Sequence, residues 1–242
     1  MTSFRSLCLC ATLGLTMLSG CGTPPGQPRK GFETLAPNDV VAFDTLYADN
    51  CAGCHGAGGR GGVAISLGDP VYLALVDETV MRAVIAKGVP GTSMPAFAQS
   101  AGGTLTDKQI DVITREIRSR WSRPGILDAA HPPSYAQTST GDPTRGQAAF
   151  GMFCESCHGR NGRGGPKGSA ITNDSFLALV SDQGLRTTVI AGRPDLGAPD
   201  WRGYVPGKPM TDQDVTDVVA WLASRRSSTP GQPYAVSHDG KR

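Results

Sequence analysis

At 242 residues the chain has room for one large domain or two small ones. Its formal net charge of +2 argues against a nucleic-acid partner, which calls for a clustered basic face. With 32 glycines and 18 prolines much of it is turn and loop, and at 6% aromatic it is short of material for two self-sufficient apolar cores.

The N-terminus reads as a targeting segment. Arg5 precedes an apolar stretch from Leu7 to Leu18, of about 12 residues, which is short for a bilayer span and typical of a signal peptide. Leu18-Ser19-Gly20-Cys21 resembles the lipobox of bacterial lipoproteins, which implies cleavage after residue 20 and lipidation of Cys21. Acyl chains would then tether the protein to a membrane surface. Gly22, in place of the aspartate that usually retains such lipoproteins at the inner membrane, leaves sorting to the outer membrane open. No later stretch is long and apolar enough to span. Residues 21–36 read as a tether.

From residue 37 the expected elements are helical. A first helix carries Tyr47 and runs into CAGCH at 51–55. Short helices follow at about 70–75 and 77–87, and Gly88 stands where a helix C-cap favours glycine. The loop AKGVPGTSMPAF leads to an amphipathic helix at about 107–120. Thr106 with Gln109 predicts a capping box there, and Ile110, Ile113 and Ile117 form its apolar face. Residues 122–140, rich in Pro, Ser and Thr, read as a linker.

The pattern then repeats. CESCH at 154–158 follows CAGCH at an offset of 103, Leu177–Val180 follows Leu73–Val76 at 104, and Thr211-Asp212 follows Thr106-Asp107 at 105. Matching helices are predicted at 174–179, 181–191 and 212–225, with Gly192 at a C-cap and Thr211 with Asp214 as a weaker capping box. The predicted organisation is a signal peptide (1–20), a tether (21–36), domain 1 (37–121), a linker (122–140), domain 2 (141–226) and a tail (227–242).

Of seven cysteines, Cys8 and Cys10 leave with the signal and Cys21 is the anchor. Cys51, Cys54, Cys154 and Cys157 remain, each pair followed by a histidine, His55 and His158. Two CxxCH motifs in an exported chain form the signature of covalent c-type haem attachment. A shared zinc site would use both cysteine pairs but leave the histidines unexplained, and two disulfides are the remaining alternative. Buried haems would also supply the missing core.

On these motifs, the aromatics Tyr47 and Phe150 four residues before the first cysteines, the glycine-rich turns and the closing helices, the chain resembles class I cytochrome c twice over. That resemblance covers nearly all of 37–226. It implies an all-α fold of two tandem domains, two covalent haem c groups, and one-electron transfer. It also implies iron held between the motif histidine and a later methionine. In domain 1 these are His55 and Met94. His/Met ligation raises the reduction potential.

Domain 2 departs from the pattern. Pairing Pro95 with Pro199 and Phe97 with Trp201 sets Met94 against Ala198. Three alternatives stand. Met210 could replace the ligand, although it aligns with Leu105 just before a helix cap, where an apolar residue packs as a staple. The second iron could be open or water-bound, and so able to take CO, NO or peroxide. Or another donor could serve, such as Lys208, Tyr204, His131 or His238. The candidate iron ligands are therefore His55, Met94, His158 and Met210.

Several other features have plainer readings. The glycine turns lack the Gly-Lys-Ser/Thr of a P-loop. Arg60 and Arg163 suit either haem propionates or solvent, and Asp107, Asp212, Asp214 and Asp217 suit the helix dipole. The reading that follows is an electron carrier or respiratory subunit, not an enzyme in its own right. It would sit on the periplasmic side of a bacterial membrane, with a quinol-oxidising complex and a terminal oxidase or reductase as partners. The alternative is a peroxidase or gas sensor built on an open second haem.

Overall fold

Each domain is built from helices whose ends are written into the sequence. In a computed structural model, which describes residues 35–228, helix α1 spans Phe43–Asn50 and α2 spans Ala52–His55. Next come α3 (Pro70–Leu75), α4 (Glu78–Lys87) and α5 (Asp107–Trp121). The second copy comprises α6 (Pro143–Phe153), α7 (Glu155–His158), α8 (Asp174–Leu179), α9 (Asp182–Ala191) and α10 (Asp212–Ala223). The described residues contain isolated β-bridges but no named strand. The predicted signal peptide, Cys21, most of the tether, most of the tail and His238 lie outside the described residues.

Both predicted capping boxes are present. The Thr106 amide donates to Gln109 Oε1 (2.9 Å) while the Gln109 amide donates to Thr106 Oγ1 (3.3 Å). Thr211 and Asp214 exchange the same pair at 2.9 and 3.1 Å. Each threonine satisfies an otherwise orphaned amide at a helix start, so Thr106→Ala or Thr211→Ala is expected to lower stability by about 1 kcal/mol. Chemical denaturation should show the loss, and serine at either position should recover most of it.

The closing helices carry the cores. Ile110, Ile113 and Ile117 on α5 are fully buried, as are Val215, Val218 and Leu222 on α10. The two copies then pack their first helices differently. In domain 2, α6 lies so close to α10 that a Cβ on Gly146 would come 2.0 Å from the Asp217 carbonyl oxygen. Phe150 meets Trp221 there at a centroid distance of 4.4 Å. Domain 1 has Phe43 at the position of Gly146, four residues before the motif-preceding aromatic. Phe43 and Tyr47 instead meet Trp121 edge-on, at 5.9 and 5.2 Å.

The segment 122–140, read as a linker, is a packed connection. Ile126, Leu127, Ala130 and Tyr135 pack on the core. The fully buried Arg186 donates to the Ser134 carbonyl (2.9 Å), to Thr216 Oγ1 (2.8 Å) and to the Asp212 carboxylate. Gln183 donates to the Tyr135 carbonyl at 2.8 Å. A Pro/Ser/Thr-rich composition signals lack of helix, and it does not reveal an arginine one domain later that binds the backbone. Asp212 and Asp217, read as acids of the helix start, are ion-pair partners of Arg186 and Arg145. From Asn38 onward the described residues belong to one compact unit holding both copies.

Candidate functional site

Each CxxCH motif folds as a single helical turn hung on the preceding helix. The Cys51 amide donates to the Tyr47 carbonyl (2.9 Å) and the His55 amide to the Cys51 carbonyl (3.0 Å). In the second copy the Cys154 amide donates to Phe150 (2.8 Å) and His158 to Cys154 (2.9 Å). One turn therefore presents two thiols and an imidazole together. Gly56 and Gly159, both at positive φ (82° and 70°), turn the chain back over the motif.

That returning chain orients the histidines. His55 Nδ1 lies 2.8 Å from the Ile65 carbonyl oxygen, and His158 Nδ1 lies 2.9 Å from that of Ser169. With Nδ1–H donating to a carbonyl, the tautomer is set and the lone pair falls on Nε2. Among the described residues neither Nε2 has a partner. Burial lowers the His55 pKa, the Ile65 carbonyl opposes that shift, and the nearby Arg193 charge adds to it, so the imidazole is neutral and free to ligate.

The four thiols are free. Burial first, and then the neighbouring Cys54, push the Cys51 thiol up to about 12. Burial and Cys157 do the same for Cys154, also to about 12. Both first cysteines are therefore protonated thiols at neutral pH. Among the described residues no three His, Cys, Asp or Glu side chains gather to hold a metal ion, so the two motifs do not form one zinc site. Two thiols beside an imidazole with an unengaged Nε2 fit a covalently attached haem at each motif.

The distal loops are copies in backbone and differ in side chains. The Val89 amide donates to the Met94 carbonyl at 3.0 Å, and the Arg193 amide donates to the Ala198 carbonyl at 2.9 Å. Phe97 and Trp201 then bond equivalently to Ile85 and Ile190, at 3.1 and 3.0 Å. Gly88 and Gly192 hold positive φ beneath these loops, where a Cβ would strike the backbone of Met94–Ala96 or Pro199–Asp200. Ala198 thus stands at the place of Met94. Met210 stands at the place of Leu105: its amide donates to Trp201 (2.9 Å) as Leu105 donates to Phe97 (2.8 Å), and both side chains are buried.

Of the other donors considered for the second site, Tyr204 donates its hydroxyl to the Val189 carbonyl at 3.0 Å, and burial raises its pKa. The Lys208 ammonium lies 5.9 Å from the Phe153 ring centroid, and His131 is exposed. Arg60 binds the Gly68 carbonyl through Nε and Nη2 (3.0 and 2.5 Å), closing the loop behind the motif, and Arg163 is exposed.

Sequence reasoning missed the carbonyls that hold the histidines, since backbone acceptors leave no residue signature. It also missed Arg193 and Asp195, although charged residues replacing Val89 and Gly91 in a repeated loop were a readable signal.

The fold and these sites define a tandem c-type cytochrome. A family model described as cytochrome c oxidase, cbb3-type, subunit III matches residues 38–115, and one described as cytochrome c matches residues 143–226. The chain carries two cytochrome c domains in tandem, which imply two covalent haem c groups. Among curated proteins it is 30% identical over 131 residues to the cbb3-type cytochrome c oxidase subunit CcoP of Azospirillum sp. (strain B510), covering 50% of this chain and 39% of that one. It is 30% identical over 171 residues to the subunit FixP of Bradyrhizobium sp. (strain ORS 278), covering 66% and 53%. The chain thus spans between 39% and 53% of the length of these relatives. A solved reducing HAO-like protein complex of Kuenenia stuttgartiensis is similar over 80% of this chain and 100% of its own, at 17% identity and a TM-score of 0.45. Among the described residues no helix is long and apolar enough to cross a membrane.

Proposed function

We propose that this chain relays electrons on the periplasmic side of a bacterial membrane, anchored through lipidated Cys21, and that its two haem sites have different coordination. When bound, haem c supplies a one-electron iron couple. Cys51 and Cys54 hold one haem by thioether bonds, and Cys154 and Cys157 hold the other. The Ile65 and Ser169 carbonyls orient His55 and His158, so that each presents Nε2 to its iron. Met94 completes the first site. Ala198 has no donor, so a haem held at the second site would be left with an open or water-bound face, while Met210 packs in the core. The domain limits proposed are those of the repeat, 37–121 and 141–226.

The substitution of Met94 by Ala198 within one shared loop backbone carries this reading. The oxidase-subunit names of the relatives support a terminal oxidase as the electron acceptor, and a quinol-oxidising complex is the matching donor. The same alanine favours a second reading, in which the second haem binds a small ligand for peroxidase or sensory work.

Titration of the reduced holoprotein with carbon monoxide tests the assignment. One CO-binding haem of the two is expected. None would overturn the open site, and two would overturn ligation by Met94. The Met210→Ala variant should leave both haem spectra unchanged, and a change in the second would restore Met210 as its ligand.

A further inference from the structure

The loop that lacks the methionine carries an ion pair that its domain 1 counterpart lacks. Counting along the shared loop backbone, Val89, Gly91 and Met94 of domain 1 correspond to Arg193, Asp195 and Ala198 of domain 2. Arg193 and Asp195 pair in bidentate fashion, Nε to Oδ1 at 3.0 Å and Nη2 to Oδ2 at 2.8 Å. Their side chains are 13% and 8% exposed, far less than an ordinary surface pair.

The same pair also reaches into the other domain. Asp195 Oδ2 accepts the Gly61 amide at 2.7 Å, and Arg193 Nη2 donates to the Gly62 carbonyl at 2.7 Å. Helix α3 also packs against α9, so these bonds lie within a larger contact between the domains. Gly61 and Gly62 belong to the turn that returns over the first CxxCH motif. A Cβ on Gly62 would fall 2.1 Å from the Cys54 carbonyl oxygen. Two residues on, the Ala64 amide donates to that same oxygen at 2.9 Å, and the next residue, Ile65, holds His55. Neutralisation of Asp195 is strongly disfavoured, because Arg193 in the first place and the Gly61 amide besides hold its carboxyl down to about 2, against some opposition from burial.

We propose that Arg193 and Asp195 form an inter-domain latch that fixes the distal loop of domain 2 on the haem turn of domain 1, and so sets the mutual position of the two haem turns. The inference rests on the proposed relay function for its purpose but not for its geometry. A donor meets a carbonyl and an acceptor meets an amide, so the latch is specific in polarity. Charge-assisted bonds with little exposure are among the stronger polar contacts. Domain 1 presents Val89 and Gly91 at the same positions, which could make neither bond. In function, the latch fixes the separation across which an electron passes between the two sites, with no bond made or broken and no proton moved. Arg193 and Asp195 are positioning residues in this role.

The decisive variant exchanges the two residues, Arg193→Asp together with Asp195→Arg. It keeps the ion pair and the net charge but sets an acceptor against the Gly62 carbonyl and a donor against the Gly61 amide. Asp195→Asn is the milder companion. Hydrogen exchange of the Gly61 amide, followed by mass spectrometry on the full chain, is the first readout. Exchange is expected to accelerate about tenfold or more in the swapped variant, as befits a lost charged hydrogen bond. Small-angle scattering should show expansion, and photoreduction of the holoprotein should show slower transfer between haems. Haem content should be unchanged in both variants. Wild-type exchange at Gly61 together with a wild-type transfer rate in the swapped variant would overturn the latch. A chain that takes up no covalent haem would overturn the relay function instead, and the exchange measurement would still decide on the latch.

Discussion

Ala198→Met is expected to abolish carbon monoxide binding at the second haem and to raise its reduction potential, by about a tenth or more of the roughly 0.8 V that axial ligation spans. The bond from Arg193 to Ala198 repeats the bond from Val89 to Met94 within 0.1 Å in length (2.9 against 3.0 Å), and Pro199 follows Ala198 as Pro95 follows Met94. The position is half-buried in both copies. A methionine placed there needs only rotamer freedom to reach the site, and the thioether is flexible enough to supply it. As a soft ligand it stabilises reduced iron, which sets the sign of the shift. Met94→Ala is the converse experiment: it should add a second CO-binding haem and lower the potential of the first. Visible spectra and redox titration of both variants measure these effects. Undiminished CO binding in Ala198→Met would mean that the loop does not face the second iron.

Much of this site was legible in the sequence because its chemistry is local. Two thiols and an imidazole within five residues need one helical turn, and a five-residue pattern displays it. The capping boxes at Thr106 and Thr211 and the C-caps at Gly88 and Gly192 were legible for the same reason: each is a bond between residues three or four apart. Met210 was placed against Leu105 by repeat alignment alone, and the matching bonds to Trp201 and Phe97 give that pairing its physical content. What could not be read joins distant residues through backbone groups. His55 is held by the Ile65 carbonyl, and any residue except for its backbone would serve equally there. Arg193 reaches Gly62 across 131 positions, and a loop arginine looks the same in sequence whether it meets water or a carbonyl. The packing of the connection at 122–140 was hidden in the same way, because the residue that orders it is Arg186.

Arg186→Met tests that ordering, and its expected effect is the largest loss of stability in domain 2. Arg186 is 1% exposed, and its guanidinium bonds Ser134, Thr216 and Asp212. Methionine can fill most of the volume but none of the bonds. The Asp212 carboxylate would keep only the Ser134 amide (2.8 Å) and the Thr138 hydroxyl (3.2 Å), with no cation beside it. Breaking a buried pair by removing one partner costs about 3–5 kcal/mol, because the other charge is left uncompensated. Asp212 is 33% exposed and can recover some hydration, which favours the lower end of that range. For a domain of this size, about 3 kcal/mol corresponds to a fall in Tm of roughly 12 °C or more. The Asp212→Asn variant keeps an acceptor for the Ser134 amide and should lose less. Combined with Arg186→Met it should lose less than the sum of the two, since the neutral amide no longer suffers from the missing cation. Additive losses in the double variant would mean that Arg186 stabilises domain 2 through its bonds to Ser134 and Thr216, with the ion pair contributing little.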